Sequence, residues 1–177
     1  MKRKLVLIGF GTSLMAAWPA LEVRATELPV RKAGLWEMKL VKTGSPAPEM
    51  TMQHCTDETT DKEMVSAFSP VSKETCAKRD IQRTATGYVT DAVCTVAGIS
   101  ITSHSEITGD FDSAYTIKIT TRSEGGPAGV PRDAVTMIDA KWMGACKPGQ
   151  KPGDIAMPGG FKLNVRDMEK LKGLLPK

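Results

Sequence analysis

Ile99-Ser100-Ile101-Thr102-Ser103-His104-Ser105-Glu106-Ile107-Thr108, then Gly109-Asp110-Phe111-Asp112, then Tyr115-Thr116-Ile117-Lys118-Ile119-Thr120, is the stretch that sets the fold class. In the first run Ile99, Ile101 and Ile107 share one face, and Thr102, His104 and Glu106 share the other. In the last, Tyr115, Ile117 and Ile119 alternate with Thr116, Lys118 and Thr120. A period of two with β-branched and aromatic residues on one side is the mark of a half-buried strand. The Gly-Asp cluster between the runs is turn chemistry, because glycine and aspartate accept the backbone angles a reversal needs.

The same alternation repeats outward. Gly34 to Lys42 places Trp36, Met38 and Leu40 on one face and Glu37 and Lys39 on the other. Met50 and Met52 alternate with Thr51 and Gln53 towards His54-Cys55. Ala77–Thr84 and Tyr88–Val96 flank Ala85-Thr86-Gly87, which reads as a hairpin turn, with Tyr88, Ala92, Cys94 and Val96 aligned. Ala134 to Trp142 aligns Ile138, Ala140 and Trp142. Outer faces rich in threonine and charge suit an antiparallel sheet with one wet side. The expected fold is therefore mainly β (or α+β): a single curved antiparallel sheet or partial barrel.

Two helices are expected beside it. Thr60-Asp61-Lys62-Glu63 has the capping-box pattern and would start a short helix after Cys55, with Met64, Val65 and Phe68 as its apolar side. Asn164 would cap a C-terminal helix carrying Val165, Met168, Leu171 and Leu174. Gly125–Pro131 and the Pro/Gly-rich stretch Lys147–Gly160 read as loops.

The N-terminus is of a different kind. Met1-Lys2-Arg3-Lys4 is basic, Leu5 to Ala17 is uncharged and apolar, Pro19 breaks the run, and Val23-Arg24-Ala25 offers a cleavage site. This is the pattern of a secretory signal peptide, too short for a membrane span. The expected organisation is a signal peptide over 1–25, an antiparallel β domain over 26–146, and a Pro/Gly-rich loop with a terminal helix over 147–177. Cleavage after Ala25 would take four of the 24 basic residues and one of the 20 acidic ones, so the formal +4 falls to +1. A near-neutral chain with mixed signs gives no electrostatic case for nucleic acid. The mature chain is expected to carry no transmembrane segment.

Export changes the meaning of Cys55, Cys76, Cys94 and Cys146. An even count in an oxidising compartment reads as two disulfides, and no close C-x₂-C pair supports zinc. Folding the chain at Ala85-Thr86-Gly87 brings Cys76 nearly opposite Cys94, which leaves Cys55 for Cys146. The smaller loop alone would contribute roughly 3 kcal/mol.

Taken together, Gly34-Leu35-Trp36-Glu37, a cysteine followed by a short helix, and Trp142-Met143-Gly144-Ala145-Cys146 resemble an uncharacterised family of exported Gram-negative proteins, the domain of unknown function family 3617. The resemblance runs from about Pro29 to Cys146. It implies a periplasmic location and a mostly β domain with paired cysteines, and it implies no activity.

Chemistry is thinly supported. Met50, Met52 and His54 project from one face of a strand, and thioether with imidazole suits Cu(I), so copper or silver binding is one alternative function. The competing reading is a core filled by adaptable methionines. His104 with Glu106 is the only base that could serve a hydrolase of unknown class. Ser103 and Ser105 turn away from it, and Lys118, placed across the hairpin, would disfavour the protonated ring. Asp110 with Asp112 and Asp57-Glu58 with Asp61 fit turns and a helix start. No catalytic residue and no cofactor is assigned. Trp36, Trp142, Tyr88 and Tyr115 are the candidates for an apolar ligand pocket at the mouth of the sheet. The leading expectation is a non-enzymatic exported protein that binds a small apolar ligand or an envelope protein.

Overall fold

The computed structural model describes residues 27–43, 48–68, 76–96, 98–125 and 132–167. The signal-peptide segment 1–25 and its cleavage site, most of the Gly125–Pro131 loop, and Met168, Leu171 and Leu174 lie outside the described residues.

Seven long strands form where the alternation placed them: β1 (Gly34–Thr43), β2 (Met50–Thr56), β3 (Cys76–Arg83), β4 (Gly87–Val96), β5 (Ile99–Asp110), β6 (Ala114–Glu124) and β7 (Asp133–Gly144). Two short strands follow, β8 (Asp154–Ala156) and β9 (Lys162–Asn164), with a 3-10 turn at Pro158–Gly160 between them. All nine join one sheet in the order β3-β4-β5-β6-β7-β1-β2-β8-β9. Every pairing is antiparallel, and the sheet ends in two free edges, so it is not a closed barrel. The Pro/Gly-rich stretch after Lys147, expected to be loop throughout, supplies β8, which pairs with β2 at His54 and Gln53. Three residues are too few for an alternating pattern to register in the sequence.

Helix α1 (Glu58–Phe68) starts earlier than the Thr60 capping box placed it. Asp57 is the cap: its Oδ1 accepts from the Thr60 amide at 2.8 Å, and the Asp57 amide donates back to Thr60 Oγ1 at 3.0 Å. Thr60 thus plays the reciprocal role that Glu plays in the usual box, from three residues inside the helix. These bonds hold the Asp57 carboxyl below its usual range. At the far end Asn164 Oδ1 accepts from the Arg166 amide at 3.1 Å, a cap on the turn that begins at Val165. Arg166 Nε then reaches Glu63 on α1 at 3.0 Å.

Both disulfides have the expected partners. Cys76–Cys94 joins edge strand β3 to β4 in direct register. Cys55–Cys146 ties β2 to the segment after β7 across 91 residues of sequence.

Gly34 opens β1 for a steric reason. Its φ is +131°, and a Cβ there would collide with the Gly144 carbonyl oxygen and Trp142 Nε1. Only glycine lets β7 approach so closely.

Candidate functional site

Opposed residues in an antiparallel ladder share a face, so the register sorts every side chain. One face, here called inner, is built in rows. Its first row is His54, Trp36 and Trp142 on β2, β1 and β7. The next is Met52, Met38, Ala140 and Tyr115. Then come Met50, Leu40, Ile138, Ile117, Ile107 and Tyr88. Beyond these lie Thr136, Ile119, Ser105, Thr90 and Ile81, and after them Thr121, Ser103 and Ala92. The floor therefore passes from aromatic, through aliphatic, to hydroxyl-bearing.

The aromatic end is closed. A strap over residues 27–33 precedes β1 and crosses it. Trp36 Nε1 donates to the Lys32 carbonyl at 2.8 Å, and Trp142 Nε1 to the Ala33 carbonyl at 3.1 Å. The Lys32 amide donates to the Phe111 carbonyl at 2.9 Å, and the Lys32 ammonium lies 3.8 Å from the Trp142 ring centroid. Beneath it Trp36 and Tyr115 pack at 5.5 Å, Tyr115 and Phe111 stack at 4.9 Å, and Phe111 meets Tyr88 edge-on at 5.9 Å. Of the four pocket candidates, Trp36 is fully buried and Tyr115 nearly so, and both serve as core. Trp142 and Tyr88 pack against that core half-buried.

Arg31 is the strap's anchor. Its Nε donates to Asp61 Oδ1 at 2.6 Å and its backbone amide to Asp61 Oδ2 at 2.8 Å, so α1 and the strap are held together by a buried ion pair. The rest of the guanidinium meets the Tyr115 hydroxyl at 3.5 Å, Met38 Sδ at 3.7 Å, Met64 Sδ at 4.0 Å and His54 Nδ1 at 3.1 Å. A buried charge persists only when paired and hydrogen-bonded in this way. Nothing in the local sequence marks Arg31, and Asp61, which reads there as an acid suited to a helix start, is instead the buried partner of Arg31, 30 residues away and paired by the fold alone.

That geometry fixes the state of His54. A guanidinium has donors only, so Nδ1 must accept, and the neutral ring carries its proton on Nε2. Burial first, and the Arg31 charge second, push its pKa down to about 3. Nε2 is buried and has no hydrogen-bond partner among the described residues. A metal at Nε2 would need the proton moved to Nδ1, against Arg31. The sequence grouped Met50, Met52 and His54 as metal ligands. The fold instead spends His54 on an arginine, packs Met52 against Ile155 and Val165 with Met64, Met157 and Leu163, and leaves Met50 half-buried beside Leu40. Among the described residues no group of three His, Cys, Asp or Glu is arranged to hold a metal ion.

His104 lies on the other, wet face. Its Nδ1 is 2.8 Å from Asp91 Oδ1 on β4, and its Nε2 is 3.6 Å from Glu106. The cross-strand partner on β6 is Thr120, while Lys118 stands opposite Glu106. The expected effect of Lys118 is therefore reversed: the bond to Asp91 raises the His104 pKa. The wet face also bears an open groove of about 610 Å³ bordered by Glu37, Lys39, Thr116, Asp139 and Lys141. A smaller cleft of about 380 Å³ lies between Val30 of the strap and the turns at Thr84–Gly87 and Asp110–Asp112, with Tyr88 on its wall. No described helix is long and apolar enough to cross a membrane.

Residues 31–146 match the sequence profile of a family described as a protein of unknown function (DUF3617). No curated protein and no solved structure matches the chain.

Proposed function

The chain belongs to the DUF3617 family, and on that premise we propose that it is a non-enzymatic periplasmic binding protein that holds an elongated apolar ligand on the inner face of its sheet. One observation carries the reading. Leu40, Met50, Ile117, Ile119 and Ile138 form a continuous aliphatic strip across five strands with β5, and each is only half-buried although Ile107 beside them is closed over. A closed aromatic end and an open aliphatic strip make a site with a stop at one end.

The magnitudes suit a carrier. Each buried methylene contributes about 0.8 kcal/mol, so a chain with ten methylenes covered gains about 8 kcal/mol before the cost of association. That gross gain alone corresponds to about 1 μM, and the cost of association leaves the net binding weaker than this. Catalysis is unsupported by the same geometry: His104 has acids and a threonine around it on the wet face, and His54 is buried with its proton fixed. The two disulfides fit an oxidising compartment, and the basic and apolar N-terminus fits export to it.

Titration with the neutral dye N-phenyl-1-naphthylamine tests the reading. The oxidised protein gives a saturable rise in dye emission, and an Ile117→Glu, Ile138→Glu variant with an unchanged far-UV spectrum does not. Equal emission from both proteins, or none from either, rejects it.

A further inference from the structure

The charges on the sheet are segregated by face. Every carboxylate of β1–β7 stands on the wet face, from Glu37 and Asp139 to Glu106, Asp91 and Asp80. The inner face of the same strands carries no acid and three cations: Arg83 opposite Tyr88, Arg79 opposite Ala92, and Lys42 opposite Thr136. All three are exposed, and none makes an ion pair with a described residue. Arg79 and Arg83 are about 13 Å apart along edge strand β3, with Ile81 between them on the same face. Lys42 faces inward from β1, in the row of Thr136, Ser105 and Thr90, five strands from β3.

From this we propose that the ligand is an anionic amphiphile, a long-chain carboxylate or a lipid phosphate. Its chain lies on Leu40, Ile117 and Ile138, and its head reaches across the hydroxyl-bearing rows towards Arg79 and Arg83 on β3. The inference rests on the binding reading above and adds the head group to it. An aliphatic floor alone does not distinguish an acid from an alcohol. A floor that ends in hydrogen-bond donors, rimmed by cations with the acids removed to the opposite face, does. Arginine suits the task because its planar fork donates two hydrogen bonds at once to a carboxylate or phosphate.

Displacement of N-phenyl-1-naphthylamine from the oxidised full chain tests it with three competitors of equal chain length: dodecanoate, dodecyl phosphate and dodecanol. Exposed ion pairs are weak one at a time, so the two arginines together favour an anion over dodecanol by roughly fivefold. The preference shrinks as salt is added. An Arg79→Gln, Arg83→Gln variant loses the preference and keeps its dodecanol affinity, while Arg79→Lys, Arg83→Lys keeps most of it. Tighter displacement by dodecyl phosphate assigns a phosphate head, and by dodecanoate a carboxylate. Dodecanol displacing the dye as well as both anions overturns the anionic head and leaves the apolar site standing. Failure of all three competitors overturns both.

Discussion

Trp36 and Trp142 stand opposite each other on β1 and β7, and their indole N–H groups donate to consecutive carbonyls of one strap, Lys32 and Ala33. Two rigid side chains thus position a segment that, among the described residues, has one backbone hydrogen bond of its own to the turn beneath, at Phe111. Trp142→Phe removes one of these bonds and should destabilise the protein by about 1 kcal/mol. Trp36→Ala also empties the core and should cost about 3–5 kcal/mol. Urea unfolding followed by circular dichroism separates the two, and equal losses would show that the indole bonds, not the packing, decide.

The Arg31–Asp61 pair is the second hold on the strap. Removing one partner strands a buried charge, so Asp61→Ala should lose about 3–5 kcal/mol. The Arg31→Met, Asp61→Leu double variant should recover much of that loss, because no charge remains to be satisfied. A double variant no more stable than Asp61→Ala would mean that the pair is worth more than apolar replacement, contrary to its burial.

Acid should weaken this region through His54. Its folded pKa is lowered from 6.5 to about 3, so between those values the unfolded chain binds a proton that the folded chain does not. The stability it confers is complete above pH 6.5 and is lost as pH falls, by up to about 1.4 kcal/mol per pH unit. His104 works in the opposite sense, because its pKa is raised, and its exposure keeps the effect small. A stability profile from urea midpoints should therefore flatten below pH 6.5 in His54→Gln and stay unchanged in His104→Ala. An identical slope in His54→Gln and wild type would remove the imidazole from the account.

How far the fold could be read in advance follows from which signals are local. Most of the long strands show because the inner rows from Trp36 to Ile138 put apolar side chains at every second position, while β3, with Arg79 and Arg83 on that face, shows through the turn that joins it to β4. Strands β8 and β9 do not show, because three residues among prolines and glycines carry no period. The start of α1 lies before the Thr60 capping-box pattern because Thr60 satisfies the Asp57 amide from within the helix, a role that the pattern gives to Glu63. The disulfides were legible from a single turn, which set Cys76 against Cys94. The Arg31 cluster was not: an arginine in a strap, an aspartate in a helix and a histidine in a strand meet only after the sheet has formed. For the same reason the sequence alone shows His54 only with its strand neighbours Met50 and Met52, the pattern of a metal set, and not with Arg31.

Reduction should loosen the two ends of the sheet unequally. Cys55–Cys146 closes the longer loop, 91 residues against 18. On the chain-entropy view its loss costs about 4.5 kcal/mol, against roughly 3 kcal/mol for Cys76–Cys94. Paired Cys→Ser variants in thermal unfolding should rank in that order, and a melting temperature insensitive to reductant would remove the structural role from both bridges.

The inner face itself is best interrogated by methyl resonances during titration with dodecanol. Ligand on the aliphatic strip shifts the methyl signals of Leu40, Ile117, Ile119 and Ile138 and leaves Val41, Val89 and Val135, on the wet face, in place. Shifts confined to the wet-face valines, or no shift at saturating dodecanol, would contradict the assignment of this sheet as a binding surface.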